Sequence, residues 1–475
     1  MSAALATIDF LLQGGKVSKV SRRDLLKYIG LGAAAVTLGA CKPAATPAPS
    51  ASAEKEAEAP PAAEAAGESI TLRWVTNHGV AEMPMFEKVA KNFEDRNENI
   101  KIDLLNIPGG NEYYNAINTQ AVGGDTPDLF YCRSYDTQPF ASKGWIVNLD
   151  PFIDAFGIDT NDFWDGMRPH LLFEDSFYAL PYDFSTMGFY YNKNILAEMG
   201  IETPPDDWDL DLFEEICEKM VVWDGDRVAQ WATTLESGDW YWVGHIVANG
   251  GQMWSDDWKT CTLDADPVVE IFERFIEMRK KGIFPEGGAV PQGVNAWPSG
   301  LAVMNHNGSW ATAGLREQVG DAFEFDVTGM PYNPKTGMRL VSGAGGAWSV
   351  GVNTKNLDEA AKFCDHVAST ESCNILIAEP VRSLPGRKSS AELWIKNATE
   401  GGMQPANVGI FARQNEEKIA AEPYPPFWKD FQVVWSNRIP AMLYGGGDAE
   451  VDVREQLALV TEETQAAIDL YWESV

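Results

Sequence analysis

An alternation of strand-like and helix-like segments between residues 70 and 131 constrains the fold of this chain more than any other feature. Apolar and polar residues alternate in the first strand-like segment, whereas apolar residues recur at helical spacing in the segment that follows it. Strands that alternate with helices predict a parallel sheet and hence an α/β fold. The segments are 70–75, 86–93, 100–104, 113–121 and 128–131, and the second and fourth of them are helix-like.

Polar side chains follow two of these strands. Asn77 and His78 come after the first strand, and Tyr135 and Asp136 come after the third. In open sheets of this kind the ligand crevice lies outside the carboxyl ends of the strands. The sequence therefore predicts a binding site beside these four side chains, although His78 also fits a solvated loop and Asp136 a helix cap or turn.

The alternation fades near residue 183 and returns near residue 340, so that a region rich in helices interrupts the first pattern. Asp209 is a plausible N-cap within this region because its side chain can accept a backbone hydrogen bond. The elements predicted after residue 183 are a strand at 189–191, helices at 193–199 and 268–281, a strand and helix at 340–352 and 357–368, and a helical tail at 428–472.

The first 40 residues have the composition of an export signal. Arg22 and Arg23 precede an uncharged segment at 28–40 that is shorter than the roughly 20 apolar residues of a membrane-spanning helix. The segment ends in Leu-Gly-Ala-Cys, which resembles the bacterial lipobox and implies lipid attachment to Cys41. The paired arginines resemble the twin-arginine signal for export of folded proteins, but they also fit the charges of an ordinary signal peptide. We therefore predict a twin-arginine-like lipoprotein signal peptide at residues 1–40.

Residues 41–69 consist almost entirely of Ala, Pro, Glu and Ser after the cysteine. Such a composition cannot bury enough apolar surface to offset the conformational entropy lost on ordering. Proline also favours extended conformations. The segment therefore predicts a disordered stalk between a lipid anchor and the folded body.

Composition excludes several partners. The chain has 69 acidic and 37 basic residues and a net charge of −32, so it lacks the basic surface that nucleic acids require. It contains no C-x-x-C pair, and neither a metal nor a cofactor is predicted. Besides Cys41 there are five cysteines whose spacing leaves their pairing open, although burial as small apolar residues is favoured: Cys132, Cys217, Cys261, Cys364 and Cys373.

Several short motifs occur in a specific order and spacing between residues 70 and 475. Together they closely resemble the bacterial extracellular solute-binding proteins of sugar transporters, the maltose-binding-protein type. Each motif alone is short, and the order of the set carries the resemblance. The motifs are TPDLFY at 126–131, KGWIVNLD at 143–150, YALPY at 178–182, YYNK at 190–193, PPDDW at 204–208, NGSW at 307–310, the Gly-rich run at 343–351, DEAAKF at 358–363 and PFW at 426–428.

This resemblance implies a two-lobed α/β fold of the periplasmic-binding-protein type (type II), with discontinuous lobes joined by a hinge and a ligand cleft between them. The first lobe would take residues 70–182 and 332–385, and the second 183–331 and 386–475. The implied function is reversible capture of a mono- or oligosaccharide and its delivery to an ABC permease. The protein would be an extracytoplasmic, lipid-anchored monomer without enzymatic activity.

A sugar offers apolar faces and a rim of hydroxyl groups, so a good site combines aromatic planes with polar side chains. By the same resemblance, a run of three aromatic residues falls where the family places a stacking aromatic of the second lobe, and two further tryptophans match other stacking positions. A tryptophan in a large domain also fits the core. Glycines could let the backbone approach a hydroxyl closely, although their run also fits a turn. The candidates that join the four residues named above are Asp183, Trp240, Tyr241, Trp242, Trp310, Gly345, Gly346 and Trp428. Trp74, Trp208 and Trp223 are predicted to be packing residues.

Two other functions stay open. A glycerophosphodiester or another polyol could be the ligand, and Arg133, Arg382 and Arg387 are the cations that would favour an anion. A secreted glycoside hydrolase would need two carboxylates placed across a scissile bond, and no constellation in the sequence singles out such a pair. The chain also lacks G-x-S-x-G and H-E-x-x-H motifs, which disfavours catalysis.

Overall fold

The computed structural model describes residues 69–417, 419, 424–445 and 451–474. Arg22, Arg23, Cys41 and the predicted stalk up to residue 68 lie outside the described residues. The described part of the chain therefore bears on the predicted folded body and its binding site.

Two five-stranded sheets organise the described part of the chain. The strand order is β2–β1–β3–β12–β6 in the first sheet and β11–β7–β10–β9–β8 in the second, and β4 pairs with β5 in a small hairpin. The strands are β1 Ile70–Thr76, β2 Ile100–Asn106, β3 Leu129–Arg133, β4 Leu172–Phe173, β5 Ser176–Phe177, β6 Leu180–Ser185, β7 Met187–Asn192, β8 Val222–Asp224, β9 Arg227–Thr233, β10 Ala302–Gly308, β11 Phe325–Gly329 and β12 Ala344–Val350.

The first sheet corrects the prediction of a parallel sheet. Strand β1 pairs in parallel with β2 and β3, as predicted from the alternation of strands and helices. Strand β12, however, is antiparallel to both β3 and β6. This strand enters the first sheet on its way back from the second sheet, so it runs in the opposite direction. The sheet is therefore mixed.

Helices pack on both sheets. They are α1 Met83–Glu94, α2 Gly110–Val122, α3 Thr137–Ser142, α4 Asp150–Phe156, α5 Arg168–Leu171, α6 Lys193–Met199, α7 Leu210–Met220, α8 Asp239–Ala248, α9 Asp266–Lys280, α10 Thr312–Val319, α11 Leu357–Ala368, α12 Thr370–Cys373, α13 Ala391–Thr399, α14 Ile410–Glu416, α15 Trp428–Tyr444 and α16 Val453–Ser474. A π-helical turn, Asn374–Ala378, follows α12 directly.

Local sequence signals explain several helix ends. The Asp209 carboxylate accepts a hydrogen bond from the backbone N–H of Leu212 at 2.8 Å, which confirms the predicted N-cap of α7. Gly200 ends α6 with a φ of +67°, a conformation that glycine adopts without a steric penalty. Helix α7 then buries Phe213 and Met220 on one face, which fixes its orientation on the second sheet.

We call the first sheet with its helices the first lobe, and the second sheet with helices α8, α9, α15 and α16 the second lobe. The chain passes from one sheet to the other between β6 and β7 and returns between β11 and β12. Helix α14 contacts both β11 of the second sheet and β6 of the first. These passages provide the few connecting residues that a hinge between lobes requires.

Aromatic side chains fill the core of both lobes. In the first lobe the Trp74 ring packs edge-on against Trp348 and Phe363, with centroids 5.4 and 5.2 Å away. The five described cysteines are buried and form no disulfide bond with one another. They therefore act as small apolar core residues, as favoured from the sequence.

Candidate functional site

Trp240, Tyr241 and Trp310 form an aromatic surface on the second lobe, which we call the aromatic platform. The rings of Trp240 and Tyr241 stack with centroids 3.7 Å apart and an interplanar angle of 29°. The Trp310 ring lies 5.6 Å from that of Trp240, and Trp310 is 36% exposed. Large aromatic rings that remain accessible beside one another can stack on the apolar face of a ligand.

The local backbone explains why these rings meet. Trp240 and Tyr241 lie in the first turn of α8, directly after Gly238. Trp310 lies in a 3-10 turn at the end of β10, and a Cβ atom at Gly308 would come within 2.0 Å of its ring. Glycine at 308 therefore lets the indole lie over the end of the strand. Ser342 fixes the other side by donating a hydrogen bond to the backbone oxygen of Trp240 at 2.6 Å.

Glu236 lies next to the platform and was missed by the sequence analysis. Its carboxylate has no hydrogen-bond or ion-pair partner among the described residues, and burial raises its pKa. Burial also raises the pKa of Tyr241, and the nearby Glu236 charge adds to that increase. The backbone N–H of Glu236 points to Nδ1 of His306 at 3.4 Å. No sequence pattern marks this residue, because its position beside the platform comes from the loop that precedes α8.

Asp136 lies on the first lobe and forms an ion pair that spans the cleft between the lobes. Its side chain is fully buried, 2.8 Å from Nε of Arg133 and 2.9 Å from Nζ of Lys429 at the start of α15. Burial alone would raise the pKa of this carboxyl group, but the charges of Arg133 and Lys429 outweigh burial and hold the pKa below its usual value. The predicted site residue Asp136 is thus bound to protein cations in this structure. The sequence analysis missed Lys429 altogether.

Two tyrosines surround these cations. The Arg133 guanidinium lies 3.2 Å from the ring centroid of Tyr114 and 4.4 Å from that of Tyr135. The Lys429 ammonium lies 4.6 Å from the Tyr135 centroid, and Tyr135 also meets Tyr424 edge-on at 5.7 Å. Tyr135 is half-buried, so part of its surface stays accessible at the cleft.

His78 is a buried residue of the first lobe. This corrects the prediction that it lies at the surface of the binding site, and also the alternative that it lies in a solvated loop. It is 3% exposed, shares a hydrogen bond with Thr76 through Nδ1, and packs against the rings of Phe86 and Tyr182. Burial, with a smaller effect of Arg382, lowers the pKa of His78 well below its usual value. The neighbouring Asn77 is half-buried. Of this pair, Asn77 retains surface at the carboxyl end of β1.

Asp183, Gly345 and Gly346 lie where β6 and β12 pair. The Asp183 carboxylate accepts a hydrogen bond from the N–H of Gly346 at 2.8 Å, and burial raises its pKa despite the opposing charge of Arg382. A Cβ atom at Gly345 would lie 1.9 Å from the backbone oxygen of Asp183, and one at Gly346 would lie 2.0 Å from the Tyr131 ring. Glycine at these two positions therefore allows strand β6 and the Tyr131 ring to approach β12 closely. This packing explains both glycines without a ligand.

Trp242 and Trp428 are core residues, which corrects their prediction as stacking residues. Both have no exposed surface. The Trp242 ring lies 4.3 Å from that of Phe272 at an angle of 9°, and Trp428 meets Trp254 edge-on at 5.5 Å. Trp223, predicted as a packing residue, is instead 50% exposed on the β8–β9 hairpin.

Within the described ranges, no group of three or more His, Cys, Asp and Glu side chains could hold a metal ion. None of the helices that the structure describes is both long enough and apolar enough to cross a membrane. The arrangement that remains is an aromatic platform on one lobe, beside a carboxylate that no described residue pairs with, and polar side chains on the other lobe. Such an arrangement can stack on a ligand and accept hydrogen bonds from its hydroxyl groups.

Comparison with known proteins finds relatives that are named as binding proteins. The chain is 25% identical to the erythritol/L-threitol-binding protein of Mycolicibacterium smegmatis over 93% of this chain and 96% of that protein. It is 23% identical to the multiple sugar-binding protein of Streptococcus mutans over 60% of this chain and 68% of that protein. An ABC substrate-binding protein of Listeria monocytogenes, solved in complex with cycloalternan, superposes with a TM-score of 0.71 and 19% identity, covering 85% of this chain and 100% of that one.

The superposition confirms the predicted two-lobed α/β fold. The family model for the bacterial extracellular solute-binding protein matches residues 79–372, which is more than half of the chain. This family consists of binding proteins and implies a location outside the cytoplasm. The predicted resemblance is thereby confirmed, and the chain belongs to the bacterial extracellular solute-binding protein family.

Proposed function

We propose that the protein captures a small, neutral, polyhydroxylated ligand, a sugar or a polyol, and delivers it to the permease of an ABC importer. The observation that carries this proposal is the aromatic platform beside the Glu236 carboxylate, which has no partner among the described residues. The rings supply a face for C–H groups, and the carboxylate supplies an acceptor for hydroxyl groups. The names of the relatives support the ligand class, because they include an erythritol/L-threitol-binding protein and a multiple sugar-binding protein.

The pairing of three arginines favours a neutral ligand over a glycerophosphodiester. Arg133 is paired with Asp136, Arg382 lies 2.6 Å from Glu82, and Arg387 lies 3.2 Å from Asp162. Each cation that the sequence offered for an anion is thus held by a carboxylate of the protein. A phosphate would have to displace one of these carboxylates and leave it without a partner, which is costly.

Binding without turnover is part of the proposal. A glycoside hydrolase would hold two carboxylates across a bond of the bound sugar. Near the platform, Asp239 is committed to a hydrogen bond from Gln432 at 2.8 Å, which leaves Glu236 as the carboxylate available to a ligand. One free carboxylate suits recognition of hydroxyl groups better than acid–base chemistry with two partners.

A screen of thermal stability against neutral ligands tests this function. Erythritol, xylitol, glucose, maltose, maltotriose and, as the anionic alternative, a glycerophosphodiester are each added to the protein, and the ligand is analysed by chromatography after incubation. We expect at least one compound to raise the melting temperature and to be recovered intact, since a ligand that binds the folded state stabilises it. Cleavage of the ligand would contradict a binding function. A rise in melting temperature with the glycerophosphodiester alone would contradict a neutral ligand and favour an anionic one.

We also propose that the protein is an extracytoplasmic monomer that is anchored to the membrane through a lipid on Cys41. The family supports the location, and the lipobox-like sequence supports the anchor. A tether would keep the binder close to its permease and so raise its effective concentration there. Labelling of cells with radioactive palmitate should mark the wild type but not Cys41→Ala, and replacement of Arg22 and Arg23 by lysine should reduce export if the twin-arginine route is used. Light scattering of the purified protein tests the monomer.

A further inference from the structure

We infer that Lys429 is a positioning residue that holds the two lobes together across the cleft and orients the aromatic platform. This role concerns the protein without ligand and goes beyond the proposed capture of a polyhydroxylated compound. It rests on an ion pair between the lobes and on a hydrogen-bonded connection from that pair to α8. Its test needs no ligand, so its failure is distinguishable from failure of the proposed function.

The first observation is the place of the ion pair. Asp136 directly precedes α3 on the first lobe, whereas Lys429 lies in the first turn of α15 on the second. Lys429 Nζ lies 2.9 Å from Asp136 Oδ1, and the Asp136 side chain is fully buried while that of Lys429 is 36% exposed. An ion pair with one buried member is weakly screened by solvent. Separation of the lobes would therefore break a stronger contact than an exposed surface pair.

The second observation is a connection from Lys429 to the platform. Lys429 Nζ donates a hydrogen bond to Oε1 of Gln432 at 3.2 Å, and Nε2 of Gln432 donates one to Oδ2 of Asp239 at 2.8 Å. Asp239 is the first residue of α8, immediately before Trp240 and Tyr241. Lys429, which joins the lobes, therefore also orients the Gln432 amide. That amide in turn binds Asp239, the first residue of α8.

The third observation is that the Asp136 carboxylate keeps other partners when Lys429 is replaced. Asp136 keeps Arg133 Nε at 2.8 Å and accepts a hydrogen bond from the Arg133 backbone N–H at 3.3 Å. The buried carboxylate would therefore retain a charged partner from its own lobe. For this reason Lys429→Met is expected to fold, whereas Asp136→Asn would leave two neighbouring cations without their shared anion.

A matched control exists on the segment between β11 and β12. Lys335 Nζ lies 2.5 Å from Glu270, with both side chains more than half exposed (65% and 52%). Glu270 belongs to α9, and the turn that carries Lys335 is held to the end of α8 by hydrogen bonds from Asn333 to Asn249 and from Thr336 to the backbone oxygen of Ala248. Both members of this pair are therefore attached to helices of the second lobe, and the pair does not cross the cleft. Lys335→Met thus removes the same charge and keeps the bridge between the lobes.

The experiment measures the distance between the lobes by pulsed electron paramagnetic resonance. Nitroxide labels are placed on exposed positions of the two lobes through Asn115→Cys and Asp256→Cys, in the full chain with Cys41→Ala. The five native cysteines of the folded body are buried and should not be labelled. Distances are recorded without ligand for the wild type, Lys429→Met, Lys429→Arg and Lys335→Met.

We expect one short distance for the wild type and Lys335→Met. Lys429→Met should show a second, longer distance, with the ratio of open to closed molecules raised by about tenfold. Lys429→Arg should restore the short distance, since it keeps the cation. An unchanged distribution in Lys429→Met, or a wild type that is already open, would overturn the inference. Because Lys429→Met could fail to fold, Lys429→Gln serves as a second variant with the same expected shift.

Discussion

The hydroxyl oxygens of Ser185 and Ser309 lie 2.6 Å apart, at the ends of β6 in the first sheet and β10 in the second. Ser309 Oγ also accepts a hydrogen bond from the backbone N–H of Leu384 at 2.9 Å. Both serines are buried, with exposures of 1% and 0%. One hydroxyl group therefore joins three segments that meet between the lobes, directly beside Trp310 of the platform.

Replacement of this hydroxyl should destabilise the fold. Ser309→Ala leaves the buried N–H of Leu384 without its acceptor, which typically costs about 1–3 kcal/mol. Urea denaturation should show a lower midpoint and a free energy of unfolding that is reduced by this amount. Ser299→Ala is the control, because Ser299 forms its hydrogen bond to Asn295 at the surface. If both variants unfolded like the wild type, Ser309 would have no structural role at the junction of the lobes.

Substitution of Glu236 should change ligand affinity and its dependence on pH. Burial raises the pKa of Glu236 above its usual value of about 4.5. The charged form accepts hydrogen bonds from hydroxyl groups, so affinity should fall as the pH is lowered through this raised pKa. Glu236→Gln should bind more weakly at neutral pH and should lose this pH dependence. Calorimetric titrations between pH 4.5 and 7.5 measure both effects.

Comparison of the wild type with Glu236→Gln separates an effect on ligand binding from an effect on stability. Since the glutamine has no charge to desolvate, Glu236→Gln should be at least as stable as the wild type at neutral pH. Equal affinity and parallel pH profiles for both proteins would exclude Glu236 from the ligand site.

His170 should make the protein less stable in mild acid. It is 2% exposed, neither ring nitrogen has a hydrogen-bond partner among the described residues, and burial lowers its pKa to about 3. Between this value and the usual 6.5 the unfolded chain binds a proton that the folded protein excludes. The free energy of unfolding should therefore fall as the pH is lowered below 6.5, by up to about 1.4 kcal/mol per pH unit from this residue.

His170→Phe isolates this contribution, because the ring keeps its contact with Phe184 and cannot be protonated. Urea denaturation from pH 7 to pH 4.5 should show the difference in stability between variant and wild type shifting steadily in favour of the variant. His245 and His306, whose pKa values burial lowers to about 4 and about 3, are present in both proteins and cancel in the comparison. A difference that stays constant with pH would contradict the burial of a neutral His170.

Local patterns predicted much of the fold. The strands and helices between residues 70 and 131 were recognisable because apolar periodicity reflects the face that each element buries. The Asp209 cap was also predicted, since capping depends on a side chain and the backbone three residues away. The direction of β12 was not predictable in this way, because it depends on the route by which the chain returns from the second sheet.

The candidate site was predicted less completely, for two physical reasons. Consecutive residues of a helix point about 100° apart, so a run such as Trp240, Tyr241 and Trp242 cannot reveal which ring faces the core. The structure buries Trp242 and leaves the other two partly accessible. The pair of Asp136 and Lys429 joins distant parts of the chain, and no local spacing signals such a contact.

Calorimetric titration of the aromatic platform tests the central claim most directly. The neutral sugar or polyol that best stabilises the wild type is titrated into Trp310→Ala, Trp240→Ala and the control Trp223→Ala, whose exposed ring lies on the β8–β9 hairpin. We predict that the two platform variants raise the Kd by about tenfold or more and that the control leaves it unchanged. Unchanged affinity in both platform variants would contradict the account.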